Sequence, residues 1–227
     1  MKNNFEKTNA FSFPIYKIRI DPNSYDKEEI VKDIKYNKSL KNTRNASGQN
    51  FHNCDIHHSY NDYDNEDFRP INYDKLGVVY QEIFQRFFDK EIMVLKPIKW
   101  QFEIVNYTAM TEGQYFPSHN HIGMNDFASI HYLNFKKDHN PTYFNNPATF
   151  SSFYPDLRPE IYDLLSPSAP NNSYLWEHCK FPAEEDDLII FPAALNHEIW
   201  PQGPTKELRI TISTNLRIEK NYEESNN

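Results

Sequence analysis

The stretch ELRITISTNLRIE, residues 207–219, alternates apolar and polar side chains along its length. Its apolar members are Leu208, Ile210, Ile212, Leu216 and Ile218. Its polar members include Arg209, Thr211, Ser213 and Asn215. A repeat of two residues is typical of a β-strand with two unlike faces. The polar face contacts either water, as in an ordinary antiparallel sheet, or a pocket between the two sheets of a jelly roll.

The same repeat is present earlier in the chain. IKWQFEIVNY, residues 98–107, alternates apolar and polar side chains, and further short strand-like runs follow it, separated by turn residues. Before them, residues 24–36 predict a short helix capped by Ser24, and residues 72–90 carry an apolar stripe at helical spacing. The sequence therefore predicts a mostly β protein with flanking helices.

The length of 227 residues favours a single domain, 1–227. Within it we expect residues 1–96 to supply an N-terminal strand, helices and a polar loop that pack on a core of residues 97–219, followed by a tail at 220–227. The polar, Asn-rich segment 37–67 has no clear periodicity and predicts a long loop, either a lid or a poorly ordered insertion.

The charge balance limits the partners of the chain. Lys and Arg number 24 against 32 Asp and Glu, and the net charge of -8 disfavours a general nucleic-acid surface. No apolar run approaches the roughly 20 residues of a membrane helix, and the N-terminus lacks the apolar segment of a signal peptide. We therefore expect a cytoplasmic protein with a small-molecule or peptide substrate, no nucleic-acid partner and no membrane contact.

Two histidines one residue apart suggest a metal site. His119 and His121 lie in FPSHNHIGMND, residues 116–126, and on a strand their side chains point to the same side. Two imidazoles can then reach one ion at about 2.0–2.2 Å. His197, in FPAALNHEIWP, is the candidate third ligand because it follows the buried-looking strand DLIIFP. Asp126 is the alternative carboxylate ligand if the segment bulges.

A second group of residues of metal-binding types lies earlier in the chain. FHNCDIHHSYND, residues 51–62, contains His52, Cys54, His57 and His58. No second pair follows at a recognised zinc-site spacing. The segment therefore favours a solvated loop over a zinc site.

Several motifs resemble the Fe(II)- and 2-oxoglutarate-dependent oxygenase superfamily in order and spacing. They are Trp100, NYTAMTEGQYFPSHNH at 106–121, ASIHYLNF at 128–135, NPTYFNNP at 140–147 and DLIIFPAALNHEIWPQGPTKELRITISTN at 187–215. The likeness covers residues 97–217 and is closest to a bacterial and phage branch with an H-x-H, H and R pattern. It implies a double-stranded β-helix core, the jelly roll shared with cupins.

The resemblance also implies roles for individual residues. His119, His121 and His197 would be the iron ligands, and Arg209 would hold the distal carboxylate of 2-oxoglutarate. The further co-substrate contacts would be Thr211 and Tyr132. A guanidinium suits the carboxylate because it donates two parallel hydrogen bonds. The implied enzyme is a dioxygenase that uses Fe(II), 2-oxoglutarate and O2 to hydroxylate an unactivated C–H bond of a small molecule, amino acid or peptide, releasing succinate and CO2.

The better-known members of the superfamily have Asp or Glu as the second ligand, where this chain has His121. The chain also departs from the pattern of the nearest branch, with His131 in place of a Tyr, Ser129 in place of a Gly and Ala193 in place of a Ser. Three imidazoles also occur in zinc enzymes. The alternatives are therefore a three-His zinc hydrolase or lyase, a cupin-type dioxygenase that does not use 2-oxoglutarate, and a non-catalytic ligand-binding jelly roll. Arg209 argues against the first two, since neither needs a carboxylate clamp.

Overall fold

The computed structural model describes residues 6–10, 13–40, 56–59, 66–92, 98–123, 125–147 and 177–219. The helices in this part of the chain are α1 (Lys27–Ser39) and α2 (Asp74–Phe87), and α2 continues as a π-helical turn over Phe88–Ile92. The strands are β1 (Glu6–Ala10), β2 (Phe13–Arg19), β3 (His57–His58), β4 (Lys99–Met110), β5 (Phe116–His119), β6 (Phe127–Asn134), β7 (Thr142–Asn145), β8 (His178–Lys180), β9 (Asp187–Pro192), β10 (His197–Ile199) and β11 (Arg209–Glu219). None of the helices described is long and apolar enough to cross a membrane.

The strands form two antiparallel sheets. The major sheet has the order β1-β2-β9-β6-β11-β4-β3, and the minor sheet has the order β5-β10-β7-β8. One buried cluster contains apolar side chains from both sheets, among them Ile130, Tyr132, Ile189, Phe191, Phe144 and Cys179. The two sheets therefore pack face to face, and the predicted mostly β, jelly-roll core is confirmed.

The helices cover the other face of the major sheet. Tyr80, Phe84 and Phe87 on α2 are fully buried against apolar side chains of the major sheet. Ile30 and Ile34 of α1 belong to the same cluster. The apolar stripe predicted on residues 72–90 packs as expected, because an amphipathic helix stabilises the fold by removing that stripe from water.

The first helix begins later than the sequence suggested. Asp21 accepts a hydrogen bond from the Asn23 amide at 2.9 Å and sets up a short 3-10 turn at Pro22–Ser24. Ser24 ends this turn, so its predicted role as the cap of α1 is wrong. The helix itself starts at Lys27.

A β-bulge in β4 decides which side chains reach the space between the sheets. Ser213 of β11 pairs with Asn106, but Thr214 pairs with Ile104, so Val105 is an extra residue in β4. Ile104 packs on the helix side, whereas Val105 and Asn106 line the cavity between the sheets. The bulge thus reverses the facing of β4 halfway along its length.

The structure corrects part of the predicted loop at 37–67. His57 and His58 form β3, which pairs with β4 at the edge of the major sheet. Both are buried, and His57 Nε2 lies 3.1 Å from Tyr107 Oη. They are therefore not in a solvated loop, and a two-residue strand is too short to produce a periodic pattern. His52 and Cys54 lie outside the described residues.

Candidate metal centre

The predicted ligands His119, His121 and His197 come together at one point. Their ligand atoms all lie within 4.8 Å of one another. His119 ends β5 and His197 begins β10, and the two residues are direct partners in the minor sheet. His121 lies two residues beyond β5, where its backbone N–H donates to Ala193 O at 2.9 Å and keeps the segment beside the sheet.

Each ring is oriented by a hydrogen bond at Nδ1. The acceptors are Pro117 O at 2.9 Å for His119, Leu195 O at 3.0 Å for His197 and Asn215 Oδ1 at 2.7 Å for His121. Because an oxygen acceptor at Nδ1 requires the proton there, Nε2 is the nitrogen that each ring offers to a metal. The donor set fits a divalent transition metal bound by neutral imidazoles.

Burial favours the neutral form of two of the imidazoles. Burial lowers the pKa of His121, and it lowers the pKa of His197 well below the usual value. The neighbouring His119 and His121 lower the pKa of His197 further, since two cations would repel each other. Neutral rings are ready for metal binding because no proton has to leave first.

The alternative ligand Asp126 lies apart from this cluster. It is exposed, and its Oδ2 accepts a hydrogen bond from the Ile218 backbone N–H at 2.7 Å. Its own backbone pairs with Leu216 and Ala193. Among the described residues, the group of ligating atoms contains the three histidines and not this carboxylate.

The three rings border a cavity of about 190 Å³ between the two sheets. Its lining is Val105, Asn106, Thr108, Phe116, His119, Asn120, His121, Ile130, His197, Ile199, Thr211 and Ser213. The imidazoles come from β5, the segment after it and β10, while Asn106, Thr108, Thr211 and Ser213 form the opposite wall on the major sheet. Within the described part of the chain, no Asp or Glu lines the cavity.

Arg209 is a fully buried cation beside this cavity. Its Nε donates to Asn140 O at 2.9 Å, and its Nη1 lies 3.4 Å from Thr211 Oγ1. Its Nη2 is buried and has no hydrogen-bond partner among the described residues. Burial lowers the pKa of Arg209 to about 10, because desolvation disfavours the charged form of the guanidinium.

The other two residues expected near the co-substrate occupy different positions. Thr211 lines the cavity, and its Oγ1 lies 2.8 Å from Thr108 Oγ1. Tyr132 is fully buried, and its Oη donates to Thr142 Oγ1 at 2.8 Å. The Tyr132 ring centre lies 5.6 Å from the Arg209 guanidinium carbon. Tyr132 therefore packs beside Arg209, outside the cavity lining.

Two residues of the site were not singled out from the sequence. Asn215 belongs to the polar face of β11, but its contact with His121 depends on the tertiary fold. Asn106 has a sequence signal: strict alternation in β4 would place it with Ile104 on the apolar face. A polar side chain at such a position indicates a possible bulge, as the structure has at Val105.

Comparison with known proteins identifies the fold. No family model matches the sequence, and the search of curated proteins found no match. Among solved structures, the chain is similar to a Trichoplax adhaerens prolyl hydroxylase in complex with a hypoxia inducible factor oxygen degradation domain peptide fragment. The match has a TM-score of 0.52 at 11% identity and covers 95% of this chain and 84% of that one. The chain shares the fold of this hydroxylase.

Two further solved structures match with lower TM-scores. A Pseudomonas putida prolyl-4-hydroxylase matches with a TM-score of 0.48 at 9% identity, over 96% of this chain and 95% of that one. An oxidoreductase of the 2OG-Fe(II) oxygenase family from Burkholderia pseudomallei matches with a TM-score of 0.43 at 12% identity, over 65% of this chain and 58% of that one. These two matches add no argument to that of the Trichoplax adhaerens hydroxylase, which supports the predicted likeness at the level of the fold. The bacterial and phage branch stays a prediction.

Proposed function

We propose that the protein is an Fe(II)- and 2-oxoglutarate-dependent oxygenase that hydroxylates an unactivated C–H bond. One observation carries the proposal: a buried guanidinium with an unpartnered Nη2, at Arg209, lies beside the same cavity as three convergent imidazoles. A buried cation without a counter-charge is costly unless a ligand supplies the anion. A metal-binding anion with a distal carboxylate satisfies both groups.

The three histidines would hold the iron through Nε2. His119 and His197 lie on the minor sheet and His121 follows β5 directly, so the three would bind one side of the ion and leave the side toward Thr211 and Ser213 for other ligands. Asn215, Pro117 and Leu195 hold the rings in place through Nδ1. Iron and 2-oxoglutarate together would supply the oxidising chemistry, in which O2 is consumed and 2-oxoglutarate yields succinate and CO2.

The roles of the major-sheet residues follow from their contacts. Arg209 would grip the distal carboxylate through Nη2, and Thr211 would support both the guanidinium and the ligand because it contacts Arg209 and lines the cavity. Tyr132, held by Thr142, would keep Arg209 in position and remains the candidate additional contact to the co-substrate. Ile130, Ile199 and Phe116 add apolar surface to the lining, which would help to exclude water from the reaction.

The substrate class we propose is a small molecule, an amino acid or a peptide. The cavity lining carries amides and hydroxyls and, among the described residues, no carboxylate, so it suits an uncharged polar group. The Trichoplax adhaerens hydroxylase was solved with a peptide fragment, which supports a peptide as one candidate.

A three-His zinc hydrolase or lyase is the second candidate, because the donor set alone suits zinc equally. Such an enzyme often uses a carboxylate as general base, and the cavity lining described here contains none. A zinc enzyme also gives no reason for the unpartnered guanidinium of Arg209. The same residue counts against a dioxygenase that does not use 2-oxoglutarate.

The test is a succinate-release assay with Fe(II), 2-oxoglutarate and air, run across a panel of amino acids, peptides and small metabolites. We expect at least one member of the panel to stimulate succinate formation. His197→Ala and Arg209→Ala should abolish the stimulation, the first through the metal and the second through the co-substrate. Hydrolysis of panel members by the zinc-loaded protein, with no succinate from the iron-loaded protein, would overturn the proposal in favour of the second candidate.

A further inference from the structure

Gln202 is a buried polar side chain in the connection between β10 and β11. It is 3% exposed, and its Oε1 accepts a hydrogen bond from the Asn140 backbone N–H at 3.0 Å. Its Nε2 donates to Trp200 O at 3.1 Å and lies 3.5 Å from Asn140 O. Both backbone groups of Asn140 therefore face the same side-chain amide, much as they would face a neighbouring strand.

Asn140 in turn contacts the buried guanidinium of Arg209. Its carbonyl oxygen accepts a hydrogen bond from Arg209 Nε at 2.9 Å, and Arg209 Nη1 lies 3.4 Å from Thr211 Oγ1. Because a guanidinium is planar, contacts at Nε and Nη1 together fix the plane of the group and the direction of Nη2. Nη2 is the nitrogen that has no hydrogen-bond partner among the described residues. The position of one backbone carbonyl thus affects where that nitrogen points.

The backbone around Gln202 is itself fixed, whereas Asn140 lies in the connection between β6 and β7, outside both strands. The Gln202 N–H donates to Gln114 O, and its carbonyl accepts from the Gly113 N–H, each at 2.9 Å. Gly113 has a φ of 76°, a left-handed conformation that favours glycine. Gln202 can therefore hold the Asn140 peptide from a backbone that is bonded on both sides.

We propose that Gln202 is a positioning residue for the carboxylate clamp: it holds the Asn140 carbonyl in the place from which that carbonyl orients Arg209. The inference rests on the proposed function and adds to it a residue outside the cavity lining. A guanidinium that is already held in its binding orientation loses less conformational freedom when an anion binds. Gln202 would therefore strengthen co-substrate binding without contacting the co-substrate.

A purely structural role for Gln202, joining two connections of the fold, is the competing explanation. The same two connections are also joined by a hydrogen bond from Asn140 Nδ2 to Pro201 O at 2.7 Å. This bond remains when the Gln202 side chain is changed, so the connections should stay together. A structural defect would weaken every ligand of the site, whereas a defect in Arg209 orientation would weaken only ligands that have a distal carboxylate.

The experiment compares two ligands in anaerobic titrations of the full chain loaded with Fe(II), followed by visible absorption. One ligand is 2-oxoglutarate, and the other is pyruvate, a 2-oxo acid that lacks the distal carboxylate. Gln202→Met has nearly the same side-chain length but neither hydrogen-bonding group. It should weaken 2-oxoglutarate binding by about three- to tenfold, the scale of one hydrogen bond, and leave pyruvate binding and iron content unchanged.

A double-mutant cycle tests whether the effect passes through Arg209. In an Arg209→Met background, Gln202→Met should cause no further loss of 2-oxoglutarate affinity, because the group that it positions is absent. Full additivity of the two losses would overturn the inference. Gln202→Asn keeps a buried amide but is one methylene shorter, and it should show the same selective loss even if Gln202→Met does not fold.

The matched control is Gln114→Met. Gln114 lies in the neighbouring turn, and its Oε1 likewise accepts a backbone N–H, that of Thr111 at 2.8 Å. This variant loses a comparable hydrogen bond and should keep the wild-type affinity for both ligands. An equal loss of 2-oxoglutarate affinity in Gln114→Met would mean that the effect of Gln202 is a general loosening of the connections.

The outcomes separate this inference from the proposed function. If Gln202→Met binds 2-oxoglutarate as the wild type does while Arg209→Ala binds it weakly, the positioning role is wrong and the proposed function stands. The positioning role is also wrong if Gln202→Met weakens 2-oxoglutarate and pyruvate equally. If the wild type does not bind 2-oxoglutarate at all, both the inference and the proposed function are overturned.

Discussion

His121 and Asn215 are joined by a hydrogen bond of 2.7 Å between Nδ1 and Oδ1. The bond connects the segment after β5 to the polar face of β11, so one strand both orients a candidate metal ligand and carries Arg209 at its other end. Thr211 and Ser213 lie on the polar face between these two residues and line the cavity.

Asn215→Ala should weaken metal binding without abolishing it. The imidazole of His121 would lose the acceptor that fixes its proton on Nδ1 and its ring orientation. Removing such a partner typically lowers metal affinity by about 10–100-fold. Competition with a coloured chelator measures the change. Asn120→Ala is the control, because Asn120 stands between His119 and His121 in the sequence but its amide donates to Asn196. Equal losses of metal affinity in the two variants would contradict the role of Asn215.

His197→Ala should remove the metal. The wild type is expected to bind about one Fe(II) per chain under anaerobic conditions, because three imidazoles converge on one point, and two remaining rings leave a much weaker site. Metal analysis after desalting gives the stoichiometry. His178→Ala is the control, since His178 is paired with Glu198 and is not part of the cluster. Stoichiometric iron in His197→Ala would place the metal elsewhere.

His121→Asp should retain iron, and Asp126→Ala should leave metal binding nearly unchanged. The first variant has the commoner set of two imidazoles and one carboxylate. The second loses the hydrogen bond from the Ile218 backbone, which lowers the free energy of unfolding by about 1 kcal/mol. Metal content and urea unfolding of both variants test this. If Asp126→Ala strips the iron, the carboxylate is a ligand after a local rearrangement.

Arg209→Met should leave the ligand-free protein as stable as the wild type or more stable. The guanidinium is fully buried without a carboxylate partner, so an apolar side chain of similar length removes a desolvation cost. Arg19→Met is the contrast, because Arg19 pairs with the buried carboxylate of Asp187 at 2.6 Å. Denaturant unfolding should show a loss of about 1–3 kcal/mol for Arg19→Met and none for Arg209→Met. The reverse order would mean that Arg209 has an internal counter-charge.

His131 should make the protein acid-sensitive. The side chain is fully buried, its Nδ1 lies 2.9 Å from Tyr80 Oη, and burial, followed by the nearby Lys27 charge, lowers its pKa to about 3. The unfolded chain therefore binds a proton below about pH 6.5 that the native protein does not bind, and stability falls by up to about 1.4 kcal/mol per pH unit as the pH drops. Urea unfolding between pH 7 and pH 4 should show this slope, and His131→Gln should reduce it by about one proton. An unchanged slope would contradict a neutral buried imidazole.

The sequence predicted the parts of the fold that depend on local periodicity. The structure has a strand where residues 207–219 alternate and a helix where residues 72–90 carry an apolar stripe. Strong patterns of this kind are predictive because they determine which face of the element is buried. The sequence could not show whether the polar face of β11 contacts water or a pocket between the sheets. That depends on the minor sheet, whose strands of three or four residues carry little pattern of their own.

The pair His119 and His121 was predictable because the two residues are close in sequence. His197 was predicted from its place after a buried-looking strand, and it pairs with His119 across the minor sheet. The contributions of Asn106 and Asn215 depend on a bulge and on a contact between distant strands. Such features arise from tertiary packing, so a single sequence shows them at most as a polar residue in an unexpected place.

In the proposed enzyme, one cavity holds Fe(II) on the three histidines and 2-oxoglutarate on Arg209. The decisive measurement is an anaerobic titration of the Fe(II)-loaded protein with 2-oxoglutarate, followed by visible absorption. We expect a weak charge-transfer band that saturates with one 2-oxoglutarate per iron, and weaker binding by about 1.5–3 kcal/mol in Arg209→Ala. Absence of the band in the wild type, or equal affinity in Arg209→Ala, would contradict it.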